Sequence, residues 1–222
     1  MTDKQSGIRV SATTLRALPL FSKLPDAELE KIATLATSRS IAKGTTIVRA
    51  GDPTDALYVL ISGTMKVYNC DNEGREVIIA ILGPGEFIGE MGLIDGAPRS
   101  ANVVAREHCD LVMIGKDAFK RCLQDNFEVA WQMMKSLVRR LREADKKIES
   151  LALLDVYGRV AKLLLDQSDE VDGRRMVTRK LPKQDIAKMV GASREMVSRV
   201  MKDLETSGYI SIETGGIVLL EH

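Results

Sequence analysis

The sequence predicts an α+β fold of three parts: a β-rich segment, one long helix and a small helical domain, along 222 residues. Short runs rich in β-branched residues, separated by turn residues, fill most of residues 42–114. A heptad pattern of apolar residues follows, and after it a helix-turn-helix pattern that ends in a hairpin. We therefore expect three domains, at residues 1–126, 127–154 and 155–222.

The first domain is predicted to be a β sandwich or jelly roll. Its β-rich runs are TTIVRAGD, ALYVLISGTMKVY, EVIIAILGPGEF, ANVVA and CDLVMI. Strands this short, at regular spacing and with glycine-rich turns between them, are typical of such folds. Helices are expected before and after the strands, at residues 26–36 and 116–126.

One stretch of this domain, GEFIGEMGLIDGAPRSA, places an acid and a base among glycines and other small residues. Glycine lets the backbone approach a ligand closely, and arginine supplies charge-assisted donors to a phosphate. The stretch, with Glu90 and Arg99 as the acid and the base, is therefore typical of a cradle for a phosphate and a sugar. The alternative is a solvent-exposed ion pair between these two residues, which contributes little to stability.

The second part is predicted to be a single helix over residues 127–154. Apolar residues recur along it in alternating steps of four and three, at Ala130, Met134, Leu137, Leu141, Ala144, Ile148 and Leu151. A seam this narrow is typical of a helix that pairs with another helix, most simply the same helix of a second copy. The alternative is packing against the core of its own chain.

The third part begins with a predicted helix in LLDVYGRVAKLLLDQ, followed by a polar loop at residues 168–175. The stretch LPKQDIAKMVGASREMVSRVMKDLETSGYI then predicts two helices with a turn at Gly191, where a left-handed conformation is needed. Ser193 is placed to cap the second helix. The end of the chain predicts a hairpin that turns at Gly215 and Gly216.

The second of these helices has one apolar stripe and one charged face. The stripe comprises Val197, Val200, Met201 and Leu204; the opposite face carries Arg194, Glu195, Ser198, Arg199 and Lys202. Residues 174–202 contain nine Lys and Arg against two Asp and Glu, a net charge of +7, whereas the whole chain has +1. A basic helix-turn-helix is typical of a DNA-binding domain whose second helix enters the major groove. The alternative is an ordinary helical hairpin with a solvated face.

The remaining features argue against other classes of protein. The sequence has no run of about 18 apolar residues and no apolar core of a signal peptide at its start, so we expect a cytoplasmic protein without membrane contact. The cysteines, Cys70, Cys109 and Cys122, have no metal or redox spacing. No nucleophile and base form a pattern, so neither a catalytic site nor a metal site is expected.

Three of these motifs, in this order, resemble the catabolite activator (cyclic-AMP receptor) family of bacterial transcription regulators. GEFIGEMGLIDGAPRSA is similar to its phosphate-binding cassette, LLDVYGRVAKLLL to its hinge and the first helix of its DNA-binding domain, and ASREMVSRVMKDLETSGYI to its recognition helix. The resemblance implies a jelly-roll cyclic-nucleotide-binding domain, a dimerisation helix and a winged helix-turn-helix.

The resemblance also implies a role for individual residues. Gly89 and Glu90 match the positions that hold the ribose, with Met91 beside them; Arg99 and Ser100 match those that hold the cyclic phosphate. The matching positions for DNA are Arg194, Glu195 and Arg199 as readers of a GTGA-type half-site, and Gln184, Ser193 and Lys202 as further DNA contacts.

The long helix departs from the family pattern where cyclic-AMP members read the purine with a Thr–Ser pair. Ala144 and Asp145 stand at these positions, and Arg140 matches a basic position near the cassette acid. Asp145 suits the N–H donors of a guanine better than adenine, so cyclic AMP, cyclic GMP and cyclic di-GMP all stay open as ligands. Alternatively, Asp145 pairs with Arg140 of a second copy, since the two occupy e and g positions of the heptad.

Together these observations predict a homodimeric transcription regulator. A nucleotide at residues 89–100 is expected to act through the long helix and a hinge at residues 153–158, raising or lowering affinity for a palindrome in double-stranded DNA. RNA polymerase is the expected further partner. Two alternatives are a regulator whose pocket no longer binds ligand and a cyclic-nucleotide-binding regulatory subunit.

Overall fold

A computed structural model of the chain describes residues 8–179 and 181–220, except for the side chain of Ile8. The chain divides into two compact units, and the boundary falls between Arg139 and Arg140. The first unit contains the β-rich segment, and the second contains the helix-turn-helix.

All five predicted β-rich runs form strands. The elements up to the end of the long helix are β1 (Ile8–Arg9), α1 (Ala12–Arg16), α2 (Asp26–Leu35), β2 (Ala36–Ile41), β3 (Thr46–Val48), β4 (Ala56–Ser62), β5 (Met65–Cys70), β6 (Glu76–Leu82), β7 (Phe87–Ile88), α3 (Glu90–Asp95), β8 (Asn102–Ala105), β9 (Cys109–Gly115), α4 (Lys116–Asp125) and α5 (Phe127–Leu153). The predicted helices α2, α4 and α5 end one residue earlier than expected. The short helix α3, inside the glycine-rich stretch, was not predicted.

The strands of the first unit form two antiparallel sheets that face each other. One has the order β1-β2-β9-β4-β7 and the other β3-β8-β5-β6. Leu60 and Leu111 lie opposite each other in the first sheet and share a buried cluster with Met65 and Val103 of the second. Side chains alternate between the faces of a strand, and this cluster fills the space between the sheets. The predicted jelly roll is therefore confirmed.

The other face of the first sheet is covered by helices. Val59 and Val112 belong to a second buried cluster, to which α5 contributes Val129 and Met133. Leu137 packs against the same cluster, although the heptad pattern assigned it to an intermolecular seam. The alternative, packing against the core of its own chain, therefore applies to this half-buried residue, and its part in an intermolecular seam stays a prediction.

The apolar side chains on the rest of α5 are largely exposed. Met134, Leu141, Ile148 and Leu151 expose 44%, 61%, 65% and 58% of their surface. Exposed apolar side chains at helical spacing are typical of an interaction surface rather than of a solvated face.

After the end of α5, the described residues of the second unit form two hairpins and three helices. Its elements are α6 (Val156–Asp166), β10 (Asp169–Val171), β11 (Arg174–Val177), α7 (Lys183–Val190), α8 (Arg194–Thr206), β12 (Ile210–Glu213) and β13 (Gly216–Leu219). The strands form one antiparallel sheet in the order β10-β11-β13-β12.

Two predictions about this unit need correction. The stretch at residues 168–175 is a hairpin rather than a loop, with Asp172 and Gly173 at its turn, both at positive φ. The C-terminal hairpin is confirmed, but Glu213 pairs with Gly216, so its turn is at residues 214–215. Polar composition concealed the first hairpin because both of its strands are mostly exposed.

Candidate functional site

The glycine-rich stretch forms a compact cassette between β7 and β8. Gly89 has φ +91° and precedes the first residue of α3, Glu90, which is buried. A Cβ atom at Gly89 would overlap with the guanidinium of Arg99 and approach the carbonyl of Ala56. Glycine is therefore required here both for its backbone conformation and for its lack of a side chain.

Arg99 is the buried cation of the cassette, with a side chain that is 5% exposed. Its Nη2 donates to Oδ1 of Asp55 at 3.0 Å and to the carbonyl of Ala56 at 2.9 Å. Its Nη1 is buried and has no hydrogen-bond partner among the described residues. A buried donor without a partner costs about 1–3 kcal/mol, so this nitrogen is a candidate for an anionic ligand.

The position of Arg99 is held by its neighbours. The backbone N–H of Arg99 donates to the carbonyl of Asp52, and the backbone N–H of Gly51 donates to the carbonyl of Arg99, both at 2.9 Å. The guanidinium carbon lies 5.7 Å from the centre of the Tyr58 ring. Burial raises the pKa of the Tyr58 hydroxyl, Asp55 adds to that increase, and the positive charge of Arg99 opposes it.

A cavity of about 330 Å³ opens beside this arginine. Its lining residues are Ile47, Val48, Arg49, Asp52, Pro53, Asp55, Tyr58 and Arg99. Ser100, the next residue after Arg99, donates its hydroxyl to the sulfur of Met91 at 3.7 Å. The structure thus brings Gly89 against Arg99 and Met91 against Ser100.

The other predicted ligand residues lie on α5, in the second unit. Arg140 is half-buried, whereas Ala144 and Asp145 are exposed. Asp145 falls on the face of α5 that also presents Leu141 and Ile148, since it stands four residues after the first and three before the second. The contribution of these three residues to ligand binding stays a prediction.

The predicted helix-turn-helix is formed by α7 and α8. Gly191 ends α7 in the left-handed conformation, at φ +65° and ψ +50°, and Ser193 caps α8 by accepting from the backbone N–H of Met196 at 3.2 Å. The predicted inward-facing residues are buried: Ile186, Ala187, Val190, Val197, Val200, Met201 and Leu204. The prediction of this motif is therefore confirmed down to its turn and cap.

The opposite face of α8 is polar and open to solvent. Arg194, Glu195, Arg199 and Lys202 are exposed, and Ser198 is half-buried. Gln184 on α7 and Ser193 are exposed as well. This face presents two guanidinium forks and one carboxylate, the groups that recognise guanine and cytosine edges in a major groove.

The carboxylate on this face stays ionised. Hydrogen bonds from the backbone N–H of Glu195 itself and from Ser193 hold the pKa of Glu195 below its usual range, and Arg194 and Arg199 add to the effect. Glu195 is therefore an acceptor at neutral pH.

Two residues with specific contacts were not singled out by sequence reasoning. Asp55 is the side-chain partner of Arg99 and follows the turn GDPT, a composition that shows only a loop. Arg159 bonds to the carbonyls of Leu154 and Val190, and nothing in the local sequence indicates a contact with a residue 31 positions away.

Two further findings concern the described residues as a whole. None of their helices combines the length and the apolar character needed to cross a membrane. Nor do the described parts of the chain bring three or more His, Cys, Asp or Glu side chains together as metal ligands.

Two stretches of the chain, one containing the cassette and one containing the helix-turn-helix, match known protein families. A cyclic nucleotide-binding domain matches residues 38–126, and a Crp-like helix-turn-helix domain matches residues 158–222.

Similar proteins are transcription regulators. The cAMP-activated global transcriptional regulator Vfr of Pseudomonas aeruginosa is 35% identical over 192 residues, which cover 83% of this chain and 90% of that protein. The CRP-like cAMP-activated global transcriptional regulator of Mycobacterium tuberculosis is 33% identical over 181 residues, covering 80% and 81%.

Solved structures show the same architecture. The c-di-GMP responsive global regulator CLP of Xanthomonas campestris has a TM-score of 0.75 and 29% identity, covering 89% of this chain and all of that one. The catabolite activator protein of Thermus thermophilus has a TM-score of 0.55 and 30% identity, covering 91% and 94%.

Proposed function

Because the chain belongs to the catabolite activator (CRP/FNR) family of bacterial transcription regulators, we propose that it is a homodimer whose affinity for DNA is set by a cyclic nucleotide in the cassette at residues 89–100. We place the sensor domain at residues 1–126, the dimerisation helix at 127–154 and the DNA-binding domain at 155–222. Since the named relatives are transcription regulators, we propose that the chain is a regulator and not an enzyme.

The observation that carries the ligand proposal is the buried guanidinium of Arg99, whose Nη1 has no partner in the described part of the chain. A cyclic phosphate supplies the anion that satisfies this donor, and Ser100 adds a hydroxyl. Glu90 and the backbone of Gly89 then hold the ribose hydroxyl, with Met91 beside them. A metal has no role in this arrangement.

The base of the nucleotide is assigned to α5. Ala144 has no side-chain hydrogen bond to offer, whereas Asp145 accepts from the N1–H and N2–H₂ groups of a guanine. Among the relatives, Vfr is cAMP-activated and CLP is c-di-GMP responsive, so both base types occur in the family. The competing role for Asp145 is an ion pair with Arg140 of the second copy.

Calorimetry with cyclic AMP, cyclic GMP and cyclic di-GMP tests these assignments. Arg99→Ala should weaken nucleotide binding by about 10- to 100-fold, the value of one or two lost charge-assisted hydrogen bonds. Arg99→Lys, which keeps a buried cation, checks folding, and Arg75→Ala is the matched control because it removes an exposed arginine of the same unit. Unchanged binding by Arg99→Ala would defeat the cassette assignment.

The same titrations address the base. If Asp145 reads guanine, Asp145→Ala should weaken the guanine nucleotides and leave cyclic AMP unaffected. If it pairs with Arg140 instead, Asp145→Ala and Arg140→Ala should weaken the dimer equally and leave the order of ligand affinities unchanged. A wild-type protein that binds none of the three would support the ligand-independent alternative.

The DNA proposal is supported by the exposed face of α8. Arg194 and Arg199 each present a fork that fits guanine O6 and N7, and Glu195 accepts from cytosine N4. These contacts suit a GTGA-type half-site, while Gln184, Ser193 and Lys202 approach phosphates. Because the chain contains a Crp-like helix-turn-helix domain, we prefer a DNA-binding regulator to the alternative of a regulatory subunit without DNA binding.

A gel-shift assay on a GTGA palindrome tests this reading of α8. Arg194→Ala should cost about 1–3 kcal/mol on the palindrome and much less on a site with the matching guanine replaced. An equal loss on random DNA would show that Arg194 contacts only phosphate.

A second copy completes the mechanism. In a dimer, two recognition helices about 34 Å apart meet successive major grooves on one side of a palindrome. A nucleotide that binds the competent arrangement better than the other shifts their populations, and it raises or lowers DNA affinity accordingly. We assign this regulator to the cytoplasm, where it meets double-stranded DNA and RNA polymerase.

A further inference from the structure

One guanidinium ties together the ends of two helices in the second unit. Arg159, in the first turn of α6, donates from Nη1 to the carbonyl of Leu154 and from Nε to the carbonyl of Val190, both at 2.9 Å. Leu154 follows the last residue of α5, and Val190 is the last residue of α7. The arginine therefore links the end of the long helix to the turn of the helix-turn-helix.

Both carbonyls lie at helix ends, where backbone acceptors lack partners within the helix. A cation at such an end satisfies the acceptor and interacts favourably with the helix dipole. A planar guanidinium can serve two carbonyls in two directions at once, because its donors are fixed in a fork. The two bonds thus give Arg159 a geometric role that its charge alone does not explain.

The connection between α5 and α6 is itself held tightly. Asp155 caps α6 by accepting from the N–H of Gly158 at 2.8 Å. A Cβ atom at Gly158 would lie 3.3 Å from Cβ of Leu154, and one at Gly191 would lie 3.9 Å from Leu151. The connection at residues 153–158, which the family resemblance makes a hinge, is therefore closely packed in itself, and the two bonds of Arg159 join it to the end of α7.

We propose that Arg159 is a positioning residue that makes the end of α5 and the α7–α8 turn move as one piece. A displacement of Leu154 that Val190 does not follow lengthens or breaks one of the two hydrogen bonds. Arg159 thereby converts a shift of the long helix into a shift of the recognition helix. This inference rests on the proposed nucleotide control of DNA binding.

The test compares Arg159→Gln and Arg159→Lys with the wild-type full chain in the DNA-binding assay, with and without each of the three nucleotides. The ratio of DNA affinities with and without nucleotide should fall at least tenfold in both variants, because neither side chain offers two separate donor nitrogens in the fixed geometry of a guanidinium. Lys162→Gln, on the same helix, is the matched control and should keep the wild-type ratio. If Arg159 has a purely structural role, its loss should lower the melting temperature and should lower both DNA affinities, with and without nucleotide, to the same extent. An unchanged ratio would therefore overturn the proposal.

Hydrogen exchange gives a second readout that does not depend on ligand control. Without nucleotide, loss of Arg159 should speed exchange at residues 151–155 and at 190–192 together, since the two helix ends lose their common partner. A change at only one end, or at neither, would contradict the proposal. A wild-type protein that ignores all three nucleotides would defeat the proposed control, while this exchange comparison would still decide the role of Arg159. If neither variant folds, nucleotide added to the wild type must change both segments together, and a change confined to one would overturn the proposal.

Discussion

At the scale of single residues, the cassette depends on one buried arginine with two different nitrogens. Nη2 of Arg99 is engaged by Asp55 and Ala56, whereas Nη1 lies beside Gly89 without a partner in the described residues. Asp55 is 79% exposed in its side chain whereas Arg99 is 5% exposed, so Asp55 is the anion that a ligand phosphate can replace at this buried guanidinium. Its effect is therefore expected on the ligand.

Asp55→Asn should tighten nucleotide binding several-fold. The substitution removes a negative charge that competes with the cyclic phosphate for Arg99, while the carbonyl of Ala56 still holds Nη2. Calorimetry measures the affinity, and thermal unfolding checks that the variant folds, since the asparagine oxygen can still accept from Nη2. Weaker binding would mean that Asp55 serves to orient Arg99 instead.

Glu195 leads to a prediction about pH. Because its pKa lies below the ordinary value of 4.5, its carboxylate takes up a proton only in more acidic solution. Discrimination for cytosine at its position should therefore be the same at pH 6 and pH 8, as measured by gel shift with single-base variants of the palindrome. Glu195→Gln should lose this discrimination at both pH values, and a loss in the wild type at pH 6 would contradict the assignment.

At the scale of elements, α8 begins where the side chain of Ser193 takes a backbone donor. Ser193→Ala should lower the free energy of unfolding of the second unit by about 1 kcal/mol because this donor loses its partner. Ser193→Asn should keep most of the wild-type free energy of unfolding, since asparagine caps a helix equally well. Ser207→Ala, at the other end of α8, is the control, and urea unfolding followed by circular dichroism measures all three.

The short helix α3 of the cassette could not be predicted from the sequence pattern. The helix α3 has six residues, and two of its apolar side chains, Met91 and Ile94, are exposed. It therefore has no buried apolar stripe of the kind that predicts an amphipathic helix. Glycines in the left-handed conformation stand at both of its ends, Gly89 before the helix and Gly96 after it, and they mark where it begins and ends.

At the scale of the whole molecule, α5 serves two purposes along its length. Val129, Met133 and Leu137 pack on the core of the first unit, whereas Leu141 and Ile148 remain exposed. Exposed large apolar side chains at this spacing are typical of a surface that a partner helix covers, and they are the surface on which the proposed dimer depends.

Ile148→Glu should convert the protein from dimer to monomer because it places a charge in that exposed face. Sedimentation velocity measures the change, and affinity for a palindrome should fall at least tenfold because the second half-site no longer adds to the first. Leu165→Glu changes an exposed leucine of α6 and should leave the dimer intact. A variant that stays dimeric would place the interface elsewhere.

The order of the parts, the helix-turn-helix and the chemistry of its open face can all be predicted from the amino-acid sequence. These follow from local rules: the left-handed turn at Gly191, the cap at Ser193, and a stripe of apolar residues with a helical period. Such features depend on residues close in sequence, so periodicity and turn chemistry are sufficient to find them.

Contacts between residues far apart in the sequence could not be predicted and are known only from the folded chain. Asp55 reaches Arg99 across 44 positions, and Arg159 reaches Val190 across 31, because strand pairing and helix packing bring them together. The use of Leu137 in the core of its own unit was decided in the same way, since a heptad shows that a face is apolar but not what covers it. These contacts depend on the packing of whole elements, and no local pattern of residue types encodes that packing.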